Sequence, residues 1–179
     1  LLALDVDSQD RLIACSDVSG RVHVMQASDG KQQFILDGHK GKVPVVRFHG
    51  EAQLLTAGAD PQRPRMGRAI IWDLISRQRQ ATLERARPIH SADINHDNTM
   101  LITVEGEEHF ARLWSLPGLK ELDTVGDHSD IVRQATFSPD GKSVLTASND
   151  QSARIYRLNG ARLAEISTNS KVRFARFSK

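Results

Sequence analysis

The chain has 179 residues, 39% of them hydrophobic and 26% charged, with a formal net charge of only +2; this is the composition of a soluble globular protein, and it argues against disorder and against a partner held by bulk positive charge. No apolar run approaches the roughly 18 residues needed to cross a bilayer and no basic-then-apolar leader opens the chain, so neither a membrane nor a secretory route is expected. A single cysteine, Cys15, excludes an intrachain disulfide, and with no Asn-x-Ser/Thr acceptor in the sequence a cytoplasmic location is expected.

Period-2 alternation of apolar and β-branched residues, broken by turn signals, runs through the whole chain, and helical spacing is nowhere sustained. The first unit, 1–37, contains Cys15 and Met25. The second, 43–84, carries an insertion, Pro61 to Arg68, in a turn that needs only a couple of residues. The third, 89–126, holds Trp114, and the fourth, 131–168, is the clearest, with turns at Pro139-Asp140-Gly141 and Asn149-Asp150-Gln151. Proline presets the first dihedral of such a turn and glycine supplies the positive one. Val172 to Ser178 then repeats only a first strand.

The units share a period. Val6, Phe48, Ile94, Phe137 and Phe177 fall 42, 46, 43 and 40 residues apart, and Met25, Trp72, Trp114 and Tyr156 fall 47, 42 and 42 apart. Removing the insertion returns the long interval to about 41 residues, the length of one four-stranded propeller blade. The expected fold is therefore all-β: four four-stranded antiparallel blades and the first strand of a fifth, forming part of a larger propeller. Residue 1 falls inside an apolar pattern with no initiator Met, so both termini are expected to be cut edges of a longer, multidomain protein.

These residues resemble the WD40-repeat family. The matching pieces are Gly38-His39 and Asp127-His128, Phe137-Ser138-Pro139-Asp140-Gly141, Trp72-Asp73 and Trp114-Ser115. The resemblance implies a buried tetrad of His, Ser or Thr, Asp and Trp in each blade. By position it falls on His39, Thr56, Asp60 and Trp72 in the second blade and on His128, Thr146, Asp150 and Tyr156 in the fourth. The third offers Thr103 and Trp114, with Arg85 in place of His and Glu107 or Glu108 in place of Asp. In the first blade Cys15 and Met25 replace both ends of the network, which reads as a change from polar lock to hydrophobic packing.

No catalytic constellation is present: there is no Gly-x-Ser-x-Gly elbow, no phosphate-binding glycine loop and no zinc-type cysteine pair. Glu105, Glu107, Glu108 and His109 form the densest acidic cluster and read as solvated surface rather than a metal site, and no cofactor is expected. Cys15 reads as a small buried hydrophobe and the two tryptophans as core.

Charge is unevenly distributed. Seven arginines lie between Gln62 and Arg87, whereas Pro88 to Ala111 carries five acids and no Lys or Arg. Loops on a rigid scaffold commonly carry binding, and the resemblance places the insertion on the rim of the Gly-His loops. Arg63, Arg65, Met66, Arg68, Glu105, Glu107 and Glu108 are therefore the candidate partner contacts, the arginines either pairing with the acidic turn of the next blade or meeting an acidic partner. The expected function is a non-catalytic protein-interaction scaffold that binds a protein or peptide, and the remaining blades or a second copy. The alternatives are nucleic-acid binding through the arginines, which the adjacent acidic unit disfavours, and a small molecule in the channel.

Overall fold

A computed structural model describes residues 2–60 and 66–178. Sixteen strands are formed among them, grouped in four sheets whose order follows the chain. Two compact units result, Leu1–Ile89 and His90–Lys179.

In the first unit one blade is β1 (Leu4–Val6), β2 (Leu12–Ser16), β3 (Arg21–Gln26) and β4 (Gln32–Asp37), and the next is β5 (Val45–His49), β6 (Gln53–Asp60), β7 (Met66–Asp73) and β8 (Gln78–Arg85). Neither sheet could bury both faces alone. Val22, Val24 and Leu36 of the first close against Val46, Leu54, Ile70 and Trp72 of the second in one core cluster. The second unit repeats the arrangement with β9 (Ile89–Ile94), β10 (Met100–Glu105), β11 (Ala111–Ser115) and β12 (Glu121–Val125), followed by β13 (Val132–Phe137), β14 (Ser143–Ser148), β15 (Ser152–Arg157) and β16 (Arg162–Ser167). Here Ile102, Leu113 and Val125 pack on Val132, Phe137, Val144 and Tyr156.

The sequence period is visible in the register. Met25, Trp72, Trp114 and Tyr156 stand opposite Ile13, Leu54, Leu101 and Val144. On their other side all four occupy a register shift against the outer strand, between Val24 and Met25, Ile71 and Trp72, Leu113 and Trp114, and Ile155 and Tyr156. Such a bulge bends the strand and re-aims a side chain, and here it recurs at the marker residue of each blade.

A second recurrent device joins blades within each unit. Asp5 Oδ2 accepts the Phe48 amide at 2.8 Å, and Asp93 Oδ2 accepts the Phe137 amide at 2.9 Å and the Thr136 hydroxyl at 2.6 Å. Each carboxylate sits one residue before a marker of the repeat and holds the first strand of the following blade.

Two expectations need correction. Three of the eight residues of the insertion, Met66 to Arg68, are strand and not loop: β6 and β7 pair as far as Gly58↔Arg68, Ala59↔Gly67 and Asp60↔Met66, so the hairpin is elongated. Its base is fixed because a Cβ at Gly58 would lie 2.1 Å from the Lys42 carbonyl oxygen. Arg63 and Arg65 lie outside the described residues. The second correction concerns 172–178, which forms no strand; a ladder needs a partner, and all four sheets are complete without it. The segment is tied down by Val172 N–H to Ser148 O at 3.0 Å and Ala175 N–H to Gln134 Oε1 at 2.9 Å. The first of these matches Val132 N–H to Glu108 O at 2.9 Å.

Candidate functional site

Three blades build a buried polar lock on the same register position, each with different chemistry. Thr56, Thr103 and Thr146 stand two residues beyond the partner of the marker aromatic, and all three are buried. In the second blade the Trp72 indole N–H donates to Thr56 Oγ1 at 2.8 Å, with His39 Nε2 also 2.8 Å from that oxygen. Burial, reinforced by Arg68 and Arg79, depresses the His39 pKa to about 4 and keeps the ring neutral. Asp60 occupies the end of β6, opposite Met66.

In the fourth blade His128 Nδ1–H donates to Asp150 Oδ2 at 2.9 Å, which leaves Nε2 to accept from Thr146 Oγ1 at 2.7 Å. Burial outweighs Asp150 and lowers the His128 pKa. Asp150 is itself held down to about 2: burial would raise it, but hydrogen bonds from Ser152, His128 and the Ser129 amide prevail. A neutral imidazole thus donates to an ionised carboxylate. Tyr156 does not take the indole's place on the threonine. Its hydroxyl donates to Asp127 Oδ1, and burial together with that carboxylate pushes its pKa up to about 12. Asp127 stands where the second blade has Gly38, and Trp72 explains the difference, since a Cβ at Gly38 would fall 2.6 Å from the indole ring.

The third blade corrects the expected acid. Trp114 Nε1–H donates to Thr103 Oγ1 at 2.9 Å, and Thr103 in turn donates to Glu105 Oε1 at 3.1 Å. Glu105, 1% exposed, therefore accepts the threonine hydrogen bond, while Glu107 is exposed. Arg112, opposite Thr103 in the register, gathers the remaining acids at Glu105 Oε2 (3.8 Å), Glu108 Oε1 (2.8 Å) and Glu121 Oε1 (2.6 Å). Two of the three acids assigned to a partner are thus engaged within their own blade. Arg154, at the same register position in the fourth blade, likewise bridges Asp127, Asp150 and Glu165.

In the first blade Cys15 and Met25 are half-buried rather than core, and burial raises the Cys15 pKa. The polar link has moved outward to His23, whose ring nitrogens lie 3.0 Å from Asp17 Oδ2 and 2.9 Å from Gln32 Oε1. Two oxygen acceptors call for two N–H donors, so the imidazolium form fits, in keeping with a His23 pKa raised chiefly by Asp17. Sequence reasoning missed this trio because none of its members occupies a tetrad position.

Three arginines of the second blade are also engaged. Arg68 donates to the Gly38 carbonyl at 3.1 Å and pairs with Glu84, so it does not project toward a partner. Arg79 donates to Asp37 O at 3.2 Å and lies over the Trp72 ring, and Arg77 lies over Phe34. Met66 and Glu107 remain half-buried and exposed respectively.

Comparison with known proteins agrees with the fold. Residues 119–157 match the family model described as WD domain, G-beta repeat, a span that runs from the outer strand of the third blade through the third strand of the fourth. The chain is 25% identical over 146 residues to WD repeat-containing protein 1 of Rattus norvegicus (80% of this chain, 24% of that protein). It is 29% identical over 145 residues to the serine-threonine kinase receptor-associated protein of Gallus gallus (80% and 39%), and 27% identical over 134 residues to Protein HIR1 of Phaeosphaeria nodorum (72% and 12%). The chain thus spans well under half the length of these relatives. Among solved structures it superposes on the β-propeller domain of Cps50 (Swd1) from Myceliophteria thermophila with a TM-score of 0.84 at 13% identity, covering 96% of this chain and 56% of that one.

Proposed function

We propose that this chain of propeller blades, which resemble WD repeats, is a non-catalytic interaction scaffold: a segment of a larger propeller, completed by further blades and presenting its rim to a protein or peptide. The observation that carries this reading is a mismatch of burial between equivalent positions. Leu36 and Val125, paired with Val22 and Ala111, are 2% and 0% exposed inside their units, whereas Ile166, paired in the same way with Ala153, is 66% exposed. Phe174, three residues before the marker Phe177, is 83% exposed where Val45 and Ser91 are 7% and 8%. Covering one such side chain is worth about 1.5–3 kcal/mol, so the outer face of the fourth blade and the 172–178 segment have the chemistry of a blade interface awaiting its other half.

The partner contact is assigned to the elongated β6–β7 hairpin, through Arg63, Arg65 and Met66, and to Glu107 on the turn after β10. A rigid base lowers the ordering cost of presenting such side chains, and Arg suits bidentate contact with a partner's carboxylates. The test is quantitative co-purification with the chain and with an Arg63→Ser, Arg65→Ser variant of unchanged melting temperature. Loss of the same set of bound proteins is expected; an unchanged set would overturn the assignment.

A further inference from the structure

The turns at the opposite ends of the strands from that rim differ between the two units. In the first unit Gln9 Nε2–H donates to Glu51 Oε1 at 3.2 Å, bridging the turns of adjacent blades. In the second unit the place of Gln9 is taken by Asp97 and the turn of Glu51 presents Asp140. Asp140 is ionised, its pKa lowered by the Ser138 hydroxyl and the Lys142 amide. Two carboxylates cannot make the amide-to-carboxylate bridge that spans the first unit. An open groove of about 720 Å³ lies between the third and fourth blades here, with Lys142 and Arg157 on its walls and Met100, Leu158 and Leu163 among its apolar lining.

We propose that this groove binds an extended peptide segment of mixed charge, its carboxylate side chain held by Arg157 and Lys142 and its cationic side chain by Asp97 and Asp140. The volume falls within the range of ligand sites, roughly 300–1,000 Å³. The charge of Lys142 already helps to lower the Asp140 pKa, no salt bridge is formed by Arg157 among the described residues, and both side chains are exposed. Charge complementarity selects the occupant. A polyanion is repelled by Asp97 and Asp140, a polycation by Lys142 and Arg157, and a segment with one charge of each sign satisfies both pairs while its apolar residues cover Leu158 and Leu163. Nucleic acid is excluded on the same ground.

The test uses the full chain and a fluorescein-labelled peptide, Ser-Glu-Leu-Leu-Lys-Ser, followed by anisotropy, with its neutral analogue Ser-Gln-Leu-Leu-Gln-Ser as control. The mixed-charge peptide is expected to bind about tenfold more tightly than the neutral one, with the difference shrinking as salt is raised. Asp97→Lys and Arg157→Glu, both surface changes, are each expected to abolish that preference at unchanged melting temperature, and Arg157→Gln to reduce it. Equal binding of the two peptides, no binding of either, or a preference that survives both charge reversals would overturn the proposal.

Discussion

A Cβ on Gly38 would sit 2.6 Å from Cη2 of Trp72, so in the second blade the aromatic leaves no room for a side chain on the residue before the tetrad histidine. Where the aromatic is the shorter Tyr156, that residue is Asp127, and its carboxylate accepts the tyrosine hydroxyl. The two pairs are alternative solutions to one packing problem. Gly38→Asp is expected to destabilise the chain by about 3 kcal/mol or to prevent folding, through overpacking of the lock. Adding Trp72→Tyr should recover at least about 1 kcal/mol of that loss, a coupling measurable by a double-mutant cycle in urea. Additive losses would separate the two positions.

Two histidines are expected to titrate stability with opposite sign. His39 has a folded pKa of about 4 against 6.5 in its ordinary state, so the unfolded chain binds the extra proton. Its contribution is complete above pH 6.5 and is lost as pH falls toward 4, by up to about 3 kcal/mol. His23 has a raised pKa, so its contribution is present below pH 6.5 and fades as pH rises through its folded value. Denaturation midpoints of His39→Gln and of Asp17→Asn as a function of pH separate the two: the first should flatten the acid limb, the second the limb above pH 6.5.

The reassignment of the third-blade acid can be checked directly. Glu105→Ala removes the acceptor of Thr103 and one anion beside the mostly buried Arg112, and should cost about 3 kcal/mol. Glu107→Ala, at an exposed site, should stay within about 0.5 kcal/mol. The reverse ranking would return the role to Glu107.

Asp150→Ala takes an acceptor away from His128, the Ser129 amide and Ser152, and an expected loss of about 1–3 kcal/mol follows from the donors left unpaired. Ser19→Ala in the first blade, where Asp17 holds an exposed turn, should cost far less. Equal losses would mean that the lock is not concentrated where His128 and Asp150 place it.

What could be read from the sequence were the features that repeat locally. The 42-residue spacing of Trp72, Trp114 and Tyr156, and turn residues such as Asp140-Gly141, act within a single blade and leave a periodic trace. Glu105 was misread because a carboxylate in a run of acids looks solvated until Arg112, on another strand, is brought beside it. Asp5 and Asp93 bond amides 43 and 44 residues away, and nothing in an alternating strand marks which polar residue will reach the neighbouring blade. The elongated hairpin was hidden because Met66 to Arg68 alternate too briefly, after a proline-rich stretch, to register as strand.

Sedimentation velocity over a concentration series tests the proposed larger propeller, in which the exposed Ile166 and Phe174 lie at a blade interface. The chain is expected to self-associate or aggregate as concentration rises, because apolar blade surface is exposed. An Ile166→Lys, Phe174→Glu variant is expected to sediment closer to the 19.9 kDa monomer with its four blades still folded. A parent chain that is already a monodisperse, cooperatively unfolding monomer at every concentration would contradict the account.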